Sequence, residues 1–135
     1  MNLKTAGWTL IAGFVVHNGD HARRGIDTVR ESVMWGGFFA LMVASIVLTL
    51  VFTDHPLAPA AAAAAGFALA IGVSAVHLLP DWGPLSDSLP SGDDDALTWV
   101  AVLAEIVGAA LLGWVGFKQF RRNNYQLQPQ PAPNF

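Results

Sequence analysis

The sequence predicts an all-α integral membrane protein, an antiparallel bundle of four helices with short loops and a disordered C-terminal tail. Of its 135 residues, 53% are hydrophobic and only 13% are charged, whereas soluble domains carry about 25% charged residues. Three segments, 33–52, 58–79 and 96–117, are apolar over about the 20 residues that a helix needs to cross a bilayer. We therefore expect a single membrane domain over residues 1–122.

The composition also excludes several classes of function. The chain contains no cysteine, which excludes disulfides, thiolate zinc sites, iron–sulfur clusters and cysteine nucleophiles. Seven basic and ten acidic residues give a net charge of −3, whereas nucleic-acid-binding domains carry a basic footprint. We expect the lipid bilayer as a partner and no nucleic acid.

The first helix is predicted over residues 5–24, although its purely apolar run covers only residues 6–16. It reaches spanning length if the polar residues that follow continue the helix. A signal peptide is the competing interpretation of this segment. We reject it because no A-x-A cleavage site follows the apolar run.

The five tryptophans support four spans, because tryptophan favours the membrane–water interface. Trp8 and Trp114 fall near one face of the membrane, and Trp35, Trp82 and Trp99 fall near the other. With four spans, none of them lies in the middle of the bilayer.

The termini are expected on the cytoplasmic side of the plasma (inner) membrane. Short cytoplasmic loops carry an excess of lysine and arginine, and this orientation places four basic residues inside and three outside. The basic residues inside would be Lys4, Lys118, Arg121 and Arg122, and those outside would be Arg23, Arg24 and Arg30.

Residues 123–135, rich in Gln, Asn and Pro, have no apolar period and are predicted to be disordered.

Three of the predicted helices carry a face of small residues that runs into an ionisable group. Membrane helices associate through such faces, because small side chains let the backbones approach closely. Helix 2 also has small residues, at Gly37, Ala40, Ala44 and Ser45. The three faces are Gly13 to His17, Asp20, His21 and Arg24; Gly66, Ala70 and Ser74 to His77; and Ala101, Gly108, Ala109 and Leu112 around Glu105.

An antiparallel bundle brings these ionisable groups to one membrane side. His17 and His21 lie one helical turn apart, which suits one divalent ion. Imidazole and carboxylate donors favour zinc, iron, manganese or copper(II) over copper(I). No catalytic residue is assigned. The predicted metal ligands are His17, Asp20, His21, His77 and Glu105, with Arg24, Asp81 and Asp87 as second-shell groups or alternative ligands.

Three alternatives remain open for the polar residues at this end. A haem would use His17 or His21 with His77 as axial ligands, and we rank it below a non-haem metal because His77 is close to the interface. A metal-dependent hydrolase acting at the bilayer surface would need a base, for which Asp87 or Glu105 is available. Without a metal, the same residues would simply cap and pair at helix ends.

An accessory role is the alternative from a different functional class. Glycine and alanine faces can dock a helix of another subunit as well as a neighbouring helix of the same chain. The chain would then be a scaffold subunit of a larger membrane complex, or a homo-oligomer, with no catalytic site of its own.

Three strings carry a resemblance to a family: residues 17–25 (HNGDHARRG), 77–82 (HLLPDW) and 86–88 (SDS). They resemble signatures of small, uncharacterised actinobacterial four-helix integral membrane proteins. The resemblance extends over most of residues 7–117, and the alanine-rich composition is similar to that of proteins from high-GC genomes. It implies the four-helix membrane fold and no activity.

Overall fold

A computed structural model describes residues 1–25, 27, 29–91 and 95–126, and this part of the chain contains helices and no strand. The helices are α1 (Leu3–Arg24), α2 (Glu31–Phe52), α3 (Ala58–His77) and α4 (Ala96–Gln126). A short 3₁₀ helix, Leu89–Ser91, lies between α3 and α4. The prediction of an all-α fold with four helices is confirmed.

Three of the four helices in the described residues are long and apolar enough to cross a membrane: α2, α3 and α4 as far as Tyr125. The first helix is not one of these three. Its apolar run is followed by polar residues in the same helix, among them His17, Asp20 and His21, and these lower its hydropathy.

The ends of α3 and α4 differ from the predicted bounds. The third helix ends at His77 rather than residue 79, because the residue before Pro80 is disfavoured in helical conformation. The fourth helix continues to Gln126, past the predicted end at residue 117. The apolar pattern ends at residue 117, but the polar residues that follow include good helix formers such as Lys, Arg and Gln. Residues 127–135 of the predicted tail lie outside the described residues.

The fourth helix packs backbone to backbone against α1. A Cβ atom built on Gly13 would lie 2.6 Å from the main-chain oxygen of Ala104 and 2.7 Å from Cα of Glu105. A Cβ atom on Gly108 would lie 2.7 Å from the main-chain oxygen of Thr9. Only glycine leaves room for this approach, so the small face of each helix is in contact with the other helix.

The other side of α4 makes the same kind of contact with α3. A Cβ atom on Gly66 would lie 2.3 Å from the main-chain nitrogen of Gly113. One turn further along α4, a Cβ atom on Gly116 would lie 2.7 Å from the main-chain nitrogen of Ala63. The fourth helix is therefore held between α1 and α3.

The second helix is more peripheral, and its buried residues are Ala44, Val47 and Val51. Of the small face predicted on this helix, Ala44 is buried, whereas a Cβ atom on Gly37 would meet nothing within 4 Å. Trp35 is 62% exposed on the same part of the helix.

The glycine contact between α3 and α4 makes a prediction for stability. Gly66→Ala should destabilise the fold by about 1–3 kcal/mol, because its methyl group would overlap the backbone of α4. Gly72→Ala is the matched control in the same helix, since a Cβ atom there meets nothing within 4 Å, and it should be neutral or stabilising by up to about 1 kcal/mol. Thermal unfolding of both variants in detergent checks this, and equal melting temperatures would contradict the packing described here.

Candidate metal centre

Three histidines meet where α1 and α3 end. His17 and His21 lie one turn apart in α1, and His77 is the last residue of α3. The ring centroid of His17 lies 4.7 Å from that of His21 and 4.8 Å from that of His77. One candidate ligand atom from each residue lies within 4.8 Å of the other two, so the group could hold a metal ion. We call these three residues the histidine cluster.

Glu105 orients the ring of His17. Both residues are buried, with exposures of 3% and 5%, and Nδ1 of His17 donates a hydrogen bond to Oε2 of Glu105. The lone pair of the neutral ring is then on Nε2, which is buried and has no hydrogen-bond partner among the described residues. A carboxylate on the far nitrogen is how proteins orient a metal-ligating histidine. Glu105, which was predicted as a metal ligand, instead accepts a hydrogen bond from the His17 ring and is not one of the three clustered candidate ligands.

His77 is oriented by the loop that follows α3. Its Nδ1 donates to the main-chain oxygen of Asp87 at 3.0 Å, and Oδ2 of Asp87 lies 3.6 Å from the same nitrogen. The neutral ring of His77 then carries its lone pair on Nε2, as His17 does. The Oδ2 atom of Asp87 is itself buried without a hydrogen-bond partner in the described part of the chain.

His21 is arranged differently from the other two rings. A guanidinium nitrogen of Arg24 lies 3.2 Å from Nδ1 of His21. Arginine can only donate, so Nδ1 accepts and the proton of the neutral ring is on Nε2. For His21 to become a metal ligand, Arg24 would have to leave Nδ1, so that this nitrogen either binds the ion or takes the ring proton and frees Nε2. Arg24 thus competes with a cation for this ring.

Asp20 faces the arginines instead of the histidine cluster. Its side chain is 2% exposed and pairs with Arg23 at 2.7 Å and with Arg24 at 3.0 Å. Arg23 also reaches Asp95 at 3.0 Å and donates to Oγ1 of Thr98 at 3.3 Å. Asp20 therefore helps to tie the end of α1 to the start of α4, and both of its oxygens are occupied by positive charges.

Asp81 pairs with Arg30, which precedes α2, at 2.9 Å. The Arg30 side chain holds the pKa of the Asp81 carboxyl below its usual value. At the start of α4, the main-chain N–H of Thr98 donates to Asp95 and lowers the pKa of that carboxyl. Both carboxylates connect chain segments at this end, and neither belongs to the histidine cluster.

The loop between α3 and α4 folds back onto the bundle. Nε1 of Trp82 donates to the main-chain oxygen of Ala75 at 2.7 Å, and the main-chain nitrogen of Asp87 donates to Val76 at 3.0 Å. These bonds bury Ser86 and Leu89, which are 1% and 3% exposed. With five aspartates, residues 81–95 are predicted from the sequence to form a solvated loop. A single sequence does not show that residues of this loop can hydrogen-bond back to the last turn of α3.

The spacing of the histidine cluster fits a metal ion after a small adjustment. Nitrogens bound to one zinc ion at 2.0–2.1 Å in tetrahedral geometry are about 3.4 Å apart. The cluster spans up to 4.8 Å, so the rings would have to close by about 1.4 Å, which side-chain rotation can supply.

Two features of this end, Thr98 and the main-chain oxygen of Asp87, are not predicted from the sequence. Main-chain acceptors and buried hydroxyls leave no pattern in a single sequence.

Comparison of the chain with protein families, with curated proteins and with solved structures finds no match in any of the three. Function is therefore inferred from the residues that the fold brings together.

The Glu105–His17 contact gives the second prediction. In metal-free detergent solution, Glu105→Leu should destabilise the protein by about 1–3 kcal/mol, because the buried Nδ1–H of His17 loses its acceptor. Glu105→Gln keeps an oxygen acceptor and should cost clearly less. Thermal unfolding followed by circular dichroism in the presence of a chelator measures both variants. A wild-type melting temperature for Glu105→Leu would show that the contact carries no stability.

Proposed function

We propose that this chain is a multi-pass membrane protein of four antiparallel spans that binds a divalent transition metal through His17, His21 and His77 at one membrane face. The observation that carries the proposal is the buried Nε2 atom of His17, oriented by Glu105 and left without a hydrogen-bond partner in the described residues. Leaving such an atom unsatisfied costs about 1–3 kcal/mol. A metal ion in the cluster would satisfy it.

The donor set favours ions of the zinc class. Three imidazoles without sulfur suit zinc, iron, manganese or copper(II). Three histidines with an open fourth position are typical of catalytic rather than structural zinc sites. If water occupies that position, Asp87 is the carboxylate available as a base, because Glu105 is bonded to His17. Hydrolysis at the bilayer surface is thus the reaction class that this site would serve.

The haem alternative has no support from the pair formed by His17 and His77. The rings of His17 and His77 are in edge contact, with centroids 4.8 Å apart and planes at 77°. A porphyrin does not fit between two rings in contact.

The helix contacts support the antiparallel order of the four spans. In α1, early residues meet late residues of α2, since a Cβ atom on Gly7 would lie 3.2 Å from the side chain of Leu48. Further along α1, Gly13 lies against Glu105, whereas the later Gly108 of α4 lies against the earlier Thr9. With α1 included as a span, both termini lie on one side of the membrane.

A role as an accessory subunit is the second candidate, and the exposed face of α2 favours it. A Cβ atom built on Gly36 or on Gly37 would meet nothing within 4 Å. Trp35 and Phe38 beside them are 62% and 60% exposed. Glycine next to aromatic side chains can receive a helix of another subunit or of a second copy. Co-purification of a stoichiometric complex without metal would favour this role over the metal centre.

Metal binding is tested by titrating the purified full-length chain with Co²⁺ and following its visible absorption. We expect one ion per chain. His17→Ala, His21→Ala and His77→Ala should each weaken binding by about tenfold or more, because each removes a ligand from a shared site. His55→Ala is the matched control, since His55 is exposed in the connection between α2 and α3. No binding by the wild type, or equal weakening by His55→Ala, would refute the metal centre.

The four-span topology is tested by labelling single cysteines, since the natural chain has none. Cysteines at Thr5 and Asn123 should react with an impermeant maleimide from the same side of the membrane. A cysteine at Leu85, which is 47% exposed in the loop after α3, should react from the opposite side. If Thr5 and Asn123 react from opposite sides, α1 does not span and the topology is wrong.

A further inference from the structure

The end of the bundle opposite the histidine cluster carries unpaired positive charge. Lys118, Arg121 and Arg122 follow one another within little more than one turn of α4, and in the described residues none of them pairs with a carboxylate. Lys4 at the same end is neutralised, because its Nζ lies 2.6 Å from Oδ2 of Asp54. Like charges at this spacing on a helix repel each other. An anion bound between them would relieve the repulsion.

A groove of about 690 Å³ opens beside these charges, between the start of α1 and the last turns of α4. Its wall combines two cationic side chains with an aromatic ring, since Nζ of Lys118 lies 5.7 Å over the ring of Trp114. Arg121 stands outside the groove and stacks on Phe117 and Tyr125. The lining includes Asn2, Trp114, Val115, Lys118, Arg122 and Asn123.

We propose that this groove binds the headgroup of an anionic phospholipid, an inference that rests on the membrane placement proposed above. The phosphate would lie between Lys118 and Arg122, because a guanidinium group binds phosphate oxygens with two parallel hydrogen bonds. The acyl chains would run along the exposed side of Trp114, which is 53% exposed and of a residue type that favours the interface. Basic residues just beyond a membrane span attract anionic lipids in this way.

The distribution of charge along the chain confines this lipid to one end. By chain position, Asp54 is the only one of the ten acidic residues near the basic end. Of the other nine, Glu105 belongs to α4, and eight lie in the sequence around the ends of α1 and α3. The three arginines in those segments do not balance the eight acidic residues. An anionic headgroup is therefore attracted to the groove and repelled from the face with the histidine cluster.

The test reconstitutes the full chain in phosphatidylcholine vesicles with a trace of spin-labelled lipid, and electron spin resonance measures the immobilised fraction. Wild-type protein should immobilise phosphatidylglycerol several-fold more than phosphatidylcholine. Lys118→Gln combined with Arg122→Gln should remove this preference, so that phosphatidylglycerol is immobilised to about the level of phosphatidylcholine. Arg121→Gln is the matched control on the same turn and should keep most of the preference. Circular dichroism verifies that the variants are folded.

Each other outcome overturns a defined part of the proposal. Equal loss in Arg121→Gln would mean that charge acts diffusely and that the groove is not a site. Selective release of the labelled lipid by sodium phosphate, relative to sodium chloride at equal ionic strength, would assign the groove to free phosphate instead. No preference in the wild type would refute the lipid site alone, whereas failure of the chain to insert into the vesicles would refute the membrane placement on which it rests.

Discussion

Close backbone contact of α4 with both α1 and α3 is the constraint on which the rest of the molecule depends. At Gly13 the backbone of α1 comes so near that a methyl group would touch Cα of Glu105. One turn later in α1, His17 donates to that same Glu105. The glycine therefore sets the distance at which a carboxylate of one helix can orient a histidine of the other. A larger residue at position 13 would press against the backbone of α4 at Glu105, separate the two helices and break the hydrogen bond.

The sequence predicts the composition of the site better than the part each residue plays in it. His17, His21 and His77 come together because helix periodicity and the order of the helices leave no other arrangement for small faces that must pack. The partner of Asp20 could not be chosen in advance, because arginines three and four residues later reach it as easily as a metal would. The predicted end of α4, at residue 117, was too early, since the helix continues to Gln126. Hydropathy shows only where the apolar part of a helix ends, whereas helix propensity decides where the helix itself ends.

The histidine cluster contains two rings prepared to donate a lone pair and one ring that is not. Fixed acceptors hold the Nδ1 protons of His17 and His77, so their free nitrogens are determined by the fold. His21 is engaged by Arg24, which Asp20 holds in place. In the proposed metal centre, cation binding would therefore require movement of an arginine, and the affinity would depend on the Asp20–Arg24 pair as well as on the three imidazoles.

The peripheral place of α2 follows from connectivity. The first and third helices both end at the histidine cluster, so the chain must return to the far end of the bundle before α3 can begin. The second helix makes this return and contributes no side chain to the cluster. Ion pairs hold it near both ends, Arg30 with Asp81 just before it and Lys4 with Asp54 just after it. The part of α2 before Ala44 has no buried residue. It is thus released from the packing demands on the other three helices, and a wide range of apolar sequences would serve there as long as they are long enough to make the return.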